Sequence, residues 1–193
     1  MIMARSKEFD VDNVLGKAMN VFWQQGYEKT SMQDLVAGMG IHKRSMYDTF
    51  GDKHSLYIKS MERFAEMTAS RMEGRVEGVD SAKEAIRRLF DMIIHKQDTD
   101  PAGCLLVNSA VELANHDPET ISRVNDAFLD AERLLEQLVT RGQASGEIAE
   151  HHRAADLAVF LHNALVGLRV MVKINPDRSK LQRIVDTTLA VLD

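Results

Sequence analysis

Apolar residues recur along most of this chain at spacings of three and four, the signature of helices that bury one face. Val11, Val14, Leu15, Ala18, Met19, Phe22 and Trp23 predict a first amphipathic helix, capped by Asp10 and stopped by Gly26. Leu35, Val36 and Met39 predict a short second helix ended by Gly40. A third starts near His42, turns Met46 and Tyr47 inward and closes at Phe50. Asp52 caps a long helix over 53–75 that carries Leu56, Ile58, Phe64, Met67 and Met72, and Gly74 and Gly78 mark its end. Ser81-x-x-Glu84 reads as a capping box opening a helix over 81–97, and 98–103 as a turn. The run from Cys104, CLLVNSAVELANH, is apolar on nearly every side and is expected deep inside the body. Asp117 and Pro118 open the next helix, with a stripe from Ile121 to Val139, broken over Gly142 to Gly146. A helix over 153–174 has more apolar residues than one buried face needs, so a partner subunit is expected to cover the surplus. A last helix spans 179–192. No segment alternates in the manner of a strand. The fold class is therefore all-α, with about nine helices.

Residues 30–53, TSMQDLVAGMGIHKRSMYDTFGDK, hold two short helices joined by a glycine turn, which is a helix-turn-helix pattern. Thr30-x-x-Gln33 reads as its first capping box. In such a motif the first turn of the second helix faces base edges in the major groove. His42, Lys43, Arg44 and Ser45 are the candidates for that role, because Lys and Arg donate to guanine acceptors and Ser and His adapt. Thr30, Ser31, Tyr47, Thr49 and Lys53 are candidates for phosphate contacts, which position without reading sequence. Arg5 and Lys7 form a short basic arm ahead of the first helix.

Ala18, Phe22, Gly26, Tyr27, Thr30, Ser31, Asp34, Leu35, Ala37, Gly40, Ser45, Met46, Tyr47, Phe50, Lys53 and Leu56 stand in an order that resembles the DNA-binding domain of the TetR family of transcriptional regulators. The resemblance covers about a quarter of the chain, Val14 to Leu56. It implies an N-terminal three-helix helix-turn-helix domain, residues 1–53, and a C-terminal helical ligand-binding and dimerisation domain, residues 54–193. It further implies a homodimer through the helices at 153–174 and 179–192. The two recognition helices would then lie about 34 to 36 Å apart, or a multiple of that, on palindromic double-stranded DNA. The expected activity is repression, relieved by a small-molecule inducer. His42 and Arg44 depart from the family, which often has Ser or Thr and then Gly at those positions.

The charge of -5 is unevenly placed: residues 1–60 carry eight basic against seven acidic side chains, leaving -6 for the rest. That suits a protein touching DNA at one end through a few residues rather than along a broad basic groove. No apolar run approaches the roughly 18 residues of a membrane helix and no signal-peptide core opens the chain, so a cytoplasmic protein without membrane contact is expected. Catalytic patterns are missing: no nucleophile–base arrangement, no phosphate-binding glycine loop and no spaced carboxylates, which argues against an enzyme. No cofactor is implied. His95, His116, His151 and His152 lack metal-ligand spacing, so no metal site is expected. Met61, Phe64, Met92, His95, Cys104, Val107, Asn108, Phe128, His162 and Leu165 are the residues expected to enclose a mostly apolar effector cavity. The single cysteine, Cys104, admits a second reading as a thiol sensor of electrophiles or oxidants, against the plain reading of a buried core residue. A helical interaction module without DNA binding is the remaining alternative.

Overall fold

The computed structural model describes residues 9–95, 101, 103–175 and 177–193. Among them are nine α-helices and no strand: α1 (Val11–Gln25), α2 (Met32–Met39), α3 (Lys43–Phe50), α4 (Lys53–Val76), α5 (Ala82–Ile94), α6 (Leu105–Leu113), α7 (Pro118–Ala144), α8 (Ala154–Ile174) and α9 (Arg178–Leu189), the last followed by a 3-10 turn at Ala190–Leu192. Arg5, Lys7, Gln97 and most of the expected turn at 98–103 lie outside the described residues.

The caps explain where most helices begin. The Asp10 carboxylate accepts from the Asp12 and Asn13 amides, Asp52 from Ser55, Ser81 from Glu84 and Asp117 from Thr120. The expected box at Thr30 and Gln33 lies one residue later. Ser31 caps α2 and Asp34 reaches back to it, while Thr30 is buried and donates its hydroxyl to the Gly26 carbonyl. At α5 the reciprocal partner is also different from the expected one. Glu84 pairs with Arg88, and Glu147, from the α7–α8 loop, takes the Ser81 hydroxyl and the amides of Ala82 and Lys83.

Two apolar clusters form the core. One holds α5, the C-terminal half of α7, α8 and α9 together, around Leu89, Phe90, Leu135, Leu161 and Val185. The other packs α1, α2 and α3 through Phe22, Leu35, Met46 and Phe50, and continues into α4 at Leu56 to Phe64 and into α6 at Cys104 to Leu113. The α1–α3 unit thus sits on α4 and α6 by continuous packing. The expectation that α6 is buried all round is corrected at Val111, which is 83% exposed. A nine-residue helix at the edge of the body keeps one side in water. Gly142 does not break α7; it lies inside the helix, where a Cβ would meet Ile148 and Ala82 at 2.5 and 2.9 Å, so the helix approaches the following loop closely there.

By length and composition α8 is apolar enough to cross a bilayer, contrary to the reading that no run approaches that length. Part of it is packed instead: Leu157, Leu161, Leu165 and Leu168 face the body core, and it carries Asp156, His162 and Arg169.

Candidate nucleic-acid interface and body cavity

Gly40, at φ 70°, ends α2 in the left-handed conformation that glycine tolerates, and the chain turns directly into α3. Met46 and Phe50 anchor α3 against α1 and α2. The rest of α3 points outward. Lys43 and Arg44 are exposed in its first turn, and the Arg44 Nε lies 3.7 Å from Asp48 across one turn of water-washed surface. His42 is the N-cap without a capping bond, so its imidazole is free to turn outward. Ser45 and Thr49 are half-buried along the same helix.

Tyr47 was expected to turn inward and is 43% exposed instead, beside Lys43, whose ammonium lies 5.9 Å from the ring centre. Met46 and Phe50, spaced i and i+4, already fill the inner stripe, which leaves Tyr47 at the edge. Thr30 is only 1% exposed, so its side chain faces the fold and not a ligand. The Ser31 hydroxyl is shared with Asp34, whose carboxyl is held below its ordinary value by the Ser31 hydroxyl and amide. Lys53, at the start of α4, stacks its ammonium 4.3 Å from the Tyr27 ring centre. The candidates on α3 therefore share one outward surface, with Ser31 and Lys53 at neighbouring helix starts.

Four contacts absent from the sequence reading tie the head, and the start of α4 on which it sits, to α6 and the turn after it. The Glu112 carboxylate, on α6, accepts from the amides of Tyr27 and Glu28 at 3.0 and 2.8 Å. The His54 imidazole meets Asp117 at 2.7 Å, at the turn between α6 and α7. The Ser109 hydroxyl donates to the Leu105 carbonyl, so the buried Tyr57 hydroxyl donates to Ser109 at 2.6 Å. Burial pushes the Tyr57 phenol well up from its ordinary value. Partners more than 50 residues apart leave no local signal of such pairs.

Below these ties lies a cavity of about 250 Å³ between α4, α6, α7 and α8. Of the ten residues expected to line it, Phe128 and His162 do. Met61, Phe64, Cys104 and Val107 belong instead to the core under the head, and Leu165 to the body core. Met92 and His95 sit at a separate shallow hollow beside Arg75 and Arg88, and Asn108 accepts from Lys173 at 3.4 Å. The cavity's other walls lie outside those ten: Ala65, Thr68, Ala69 and Met72 on α4, Leu106 on α6, and Ala127, Ala131 and Leu134 on α7, with the carboxylates of Glu66, Glu73 and Asp130 around them. Arg169 completes it from α8. A charge in the middle of an otherwise apolar helix is the signal that could have found it.

His162 is 4% exposed; its Nδ1 meets Glu132 at 3.1 Å and its ring stands edge-on to Phe128. Burial lowers its pKa, Glu132 opposes that shift and Arg169 adds to it, so the imidazole is held neutral at pH 7. No group of three potential metal ligands occurs among the described residues.

The family model described as bacterial regulatory proteins, tetR family, matches residues 14–59, and one described as tetracyclin repressor-like, C-terminal domain, matches residues 82–188. The uncharacterized HTH-type transcriptional regulator YezE of Bacillus subtilis (strain 168) is 35% identical, covering 99% of this chain and 100% of that protein. The HTH-type transcriptional repressor ComR of Escherichia coli (strain K12) is 32% identical over 96% of this chain and 90% of its own length. Among solved structures, a cysteine-substituted form of the TetR family transcriptional regulator CifR, complexed with 26-bp double-strand operator DNA, superposes with a TM-score of 0.86 at 28% identity, covering 98% of this chain and 100% of that one.

Proposed function

The chain belongs to the TetR family of bacterial regulatory proteins, a DNA-binding transcriptional regulator and not an enzyme, and from that premise we propose how it works. In the cytoplasm it represses transcription by holding a palindromic operator as a homodimer, and it is released when a small molecule enters the cavity between α4, α6, α7 and α8. Residues 1–53 are the reading head and 54–193 the sensing and dimerising body. His42, Lys43, Arg44 and Ser45 read bases; Tyr47, Thr49, Ser31 and Lys53 hold phosphates, and Thr30 serves by fixing the turn before α2.

The observation that carries this reading is the outward surface of α3. Its apolar residues Met46 and Phe50 face the head's core, which leaves an exposed basic and aromatic surface whose Lys43 and Arg44 meet only Tyr47 and Asp48 of the same helix among the described residues. Dimerisation rests on α8, where Phe160, Asn163, Gly167, Val170 and Ile174 form an exposed stripe at helical spacing. Nothing lies within 4 Å of a Cβ at Gly167, so a partner helix has room to approach the backbone. Cys104 is buried at the N-cap of α6, amid the core under the head, and is a packing residue in this reading.

A footprint on the DNA beside the protein's own gene is the test. Protection of a palindrome, weakened by Lys43→Ala and Arg44→Ala by roughly tenfold or more each, is expected. A folded wild-type dimer that protects no site in that region or in a selection from random DNA overturns it.

A further inference from the structure

The cavity's polar groups define the chemistry of the molecule it takes. The carboxylate of Glu132 can only accept, so His162 donates from Nδ1 and presents Nε2 as a bare acceptor. That nitrogen is fully buried and has no hydrogen-bond partner, and its residue lines the cavity. A buried polar atom left unpaired is uncommon and is expected to be met by something. Arg169 lines the same cavity, is 8% exposed, and has no carboxylate within ion-pair distance among the described residues. It lies two turns along α8 from His162, on the same face of that helix, and lines the same cavity. Its charge is felt there, since it adds to the lowering of the His162 pKa.

These two groups make opposite demands. Nε2 needs a donor, and the guanidinium needs an electron-rich acceptor. A carboxylate ligand satisfies Arg169 but sets a lone pair against Nε2, and it must pass Glu66, Glu73 and Asp130, exposed around the same cavity. An ammonium satisfies Nε2 and is repelled by Arg169. A hydroxyl meets both, its hydrogen toward His162 and its oxygen toward Arg169. The other walls are aliphatic and aromatic: Phe128, Leu106, Met72 and Leu134.

The geometry points to an uncharged hydroxyl compound with a flat or compact apolar body, a phenol or naphthol type, as the effector class, held by His162 as acceptor and Arg169 as donor. This rests on the cavity being the effector site proposed above. Phenolic oxygens suit the pair better than alkanols, because the more acidic hydroxyl is the stronger donor to a neutral imidazole.

The test compares 2-naphthol, 2-methoxynaphthalene and naphthalene by isothermal titration calorimetry on the full-length wild type and on His162→Leu. The methyl ether keeps the oxygen and the ring but lacks the donor. On the wild type, 2-naphthol is expected to bind at least about tenfold tighter than its methyl ether, since the ether leaves Nε2 unpaired and buried. In His162→Leu that preference is expected to shrink to within about twofold. Arg169→Met, which leaves His162 in place, is expected to weaken 2-naphthol and leave naphthalene within about twofold. The wild-type comparison needs no variant, so a misfolded His162→Leu does not rescue the idea. Equal binding of the naphthol and the ether overturns the hydroxyl class while leaving the cavity as a ligand site. Binding of none of the three overturns both. If 2-naphthol binds with the stated preference and the protein still holds its operator, the class stands and the induction reading fails.

Discussion

Replacing Gly26 and Glu112 together should cost much less than the sum of the two single changes. Gly26 has φ 84° and ψ 173°, a backbone region used almost only by glycine. A Cβ there would also meet the Glu112 carboxylate, with Oε2 at 2.8 Å and Oε1 at 3.2 Å. The same carboxylate is the acceptor for the Tyr27 and Glu28 amides. Glu112→Ala removes both bonds. The exposed Glu28 amide turns to water at little cost, and the half-buried Tyr27 amide does not, so the loss is about 2 kcal/mol. Gly26→Ala brings about 2 kcal/mol of backbone strain and also drives the carboxylate off its two donors, for a total of about 4 kcal/mol. In the Glu112→Ala background only the strain remains. The double variant should therefore also lose about 4 kcal/mol rather than about 6, a coupling of about 2 kcal/mol. Urea unfolding of the four proteins at one fixed dimer concentration measures it. Thermal unfolding gives a companion reading, with Glu112→Ala lower by about 4 to 8 °C for a chain of this size. Losses that add to within about 0.5 kcal/mol would refute the claim that one carboxylate couples the α1–α2 turn to α6.

The α8 stripe gives a second expectation: Phe160→Glu, which places a charge where 47% of an aromatic side chain now lies open, should turn a dimer into monomers by sedimentation while the helical circular dichroism persists. An unchanged sedimentation coefficient would move the dimer contact elsewhere. A third concerns pH. The folded pKa of His162 lies below its ordinary value of 6.5, so the unfolded chain takes up the proton first. Stability from this site is therefore complete above about pH 6.5 and falls as the pH drops from there through the folded pKa. Denaturant midpoints at pH 7.5 and 5.5 should show a smaller loss for His162→Leu than for the wild type. Equal losses would remove His162 as a source of the slope.

What the sequence revealed depended on how far apart the interacting residues are. Asp10, Asp52, Ser81 and Asp117 are legible as caps because each bonds an amide two or three residues away. The cap of α2 was misread by one residue because the choice between Thr30 and Ser31 is tertiary: the turn after Tyr27 buries Thr30 and hands the cap to Ser31. Glu147 capping α5 and Glu112 gripping the head bridge 64 to 85 positions, and no window of sequence holds both partners. The cavity failed for a different reason. Searching for large apolar side chains finds the places where packing is complete, hence Met61, Phe64 and Leu165. A cavity forms where such side chains are missing, and here Ala65, Ala69, Ala127 and Ala131 leave the space. His162 was legible because a polar group on an apolar helix needs a partner, and Arg169 offered the same signal unnoticed.

In the proposed function, the placement of α6 is what would make a ligand in that cavity relevant to DNA. Its nine residues span about 13 Å. Leu106, near its start, is cavity wall; Ser109, one turn on, receives Tyr57 from α4; Glu112, a further turn on, holds the α1–α2 turn. A short helix that is rigid along its axis cannot shift at Leu106 without disturbing those two contacts or breaking them. The His54–Asp117 pair adds a third tie just past its C-terminal end, at the first turn of α4, whose Leu56 shares a core cluster with Met46 and Phe50 of α3. A ligand changes operator affinity only by as much as it binds one arrangement of these ties better than the other. Loosening the tie at Glu112 should then leave affinity for the ligand nearly intact and weaken its grip on the head. The side chain that stabilises the fold is, on this argument, also the one through which the occupied cavity is felt at α3.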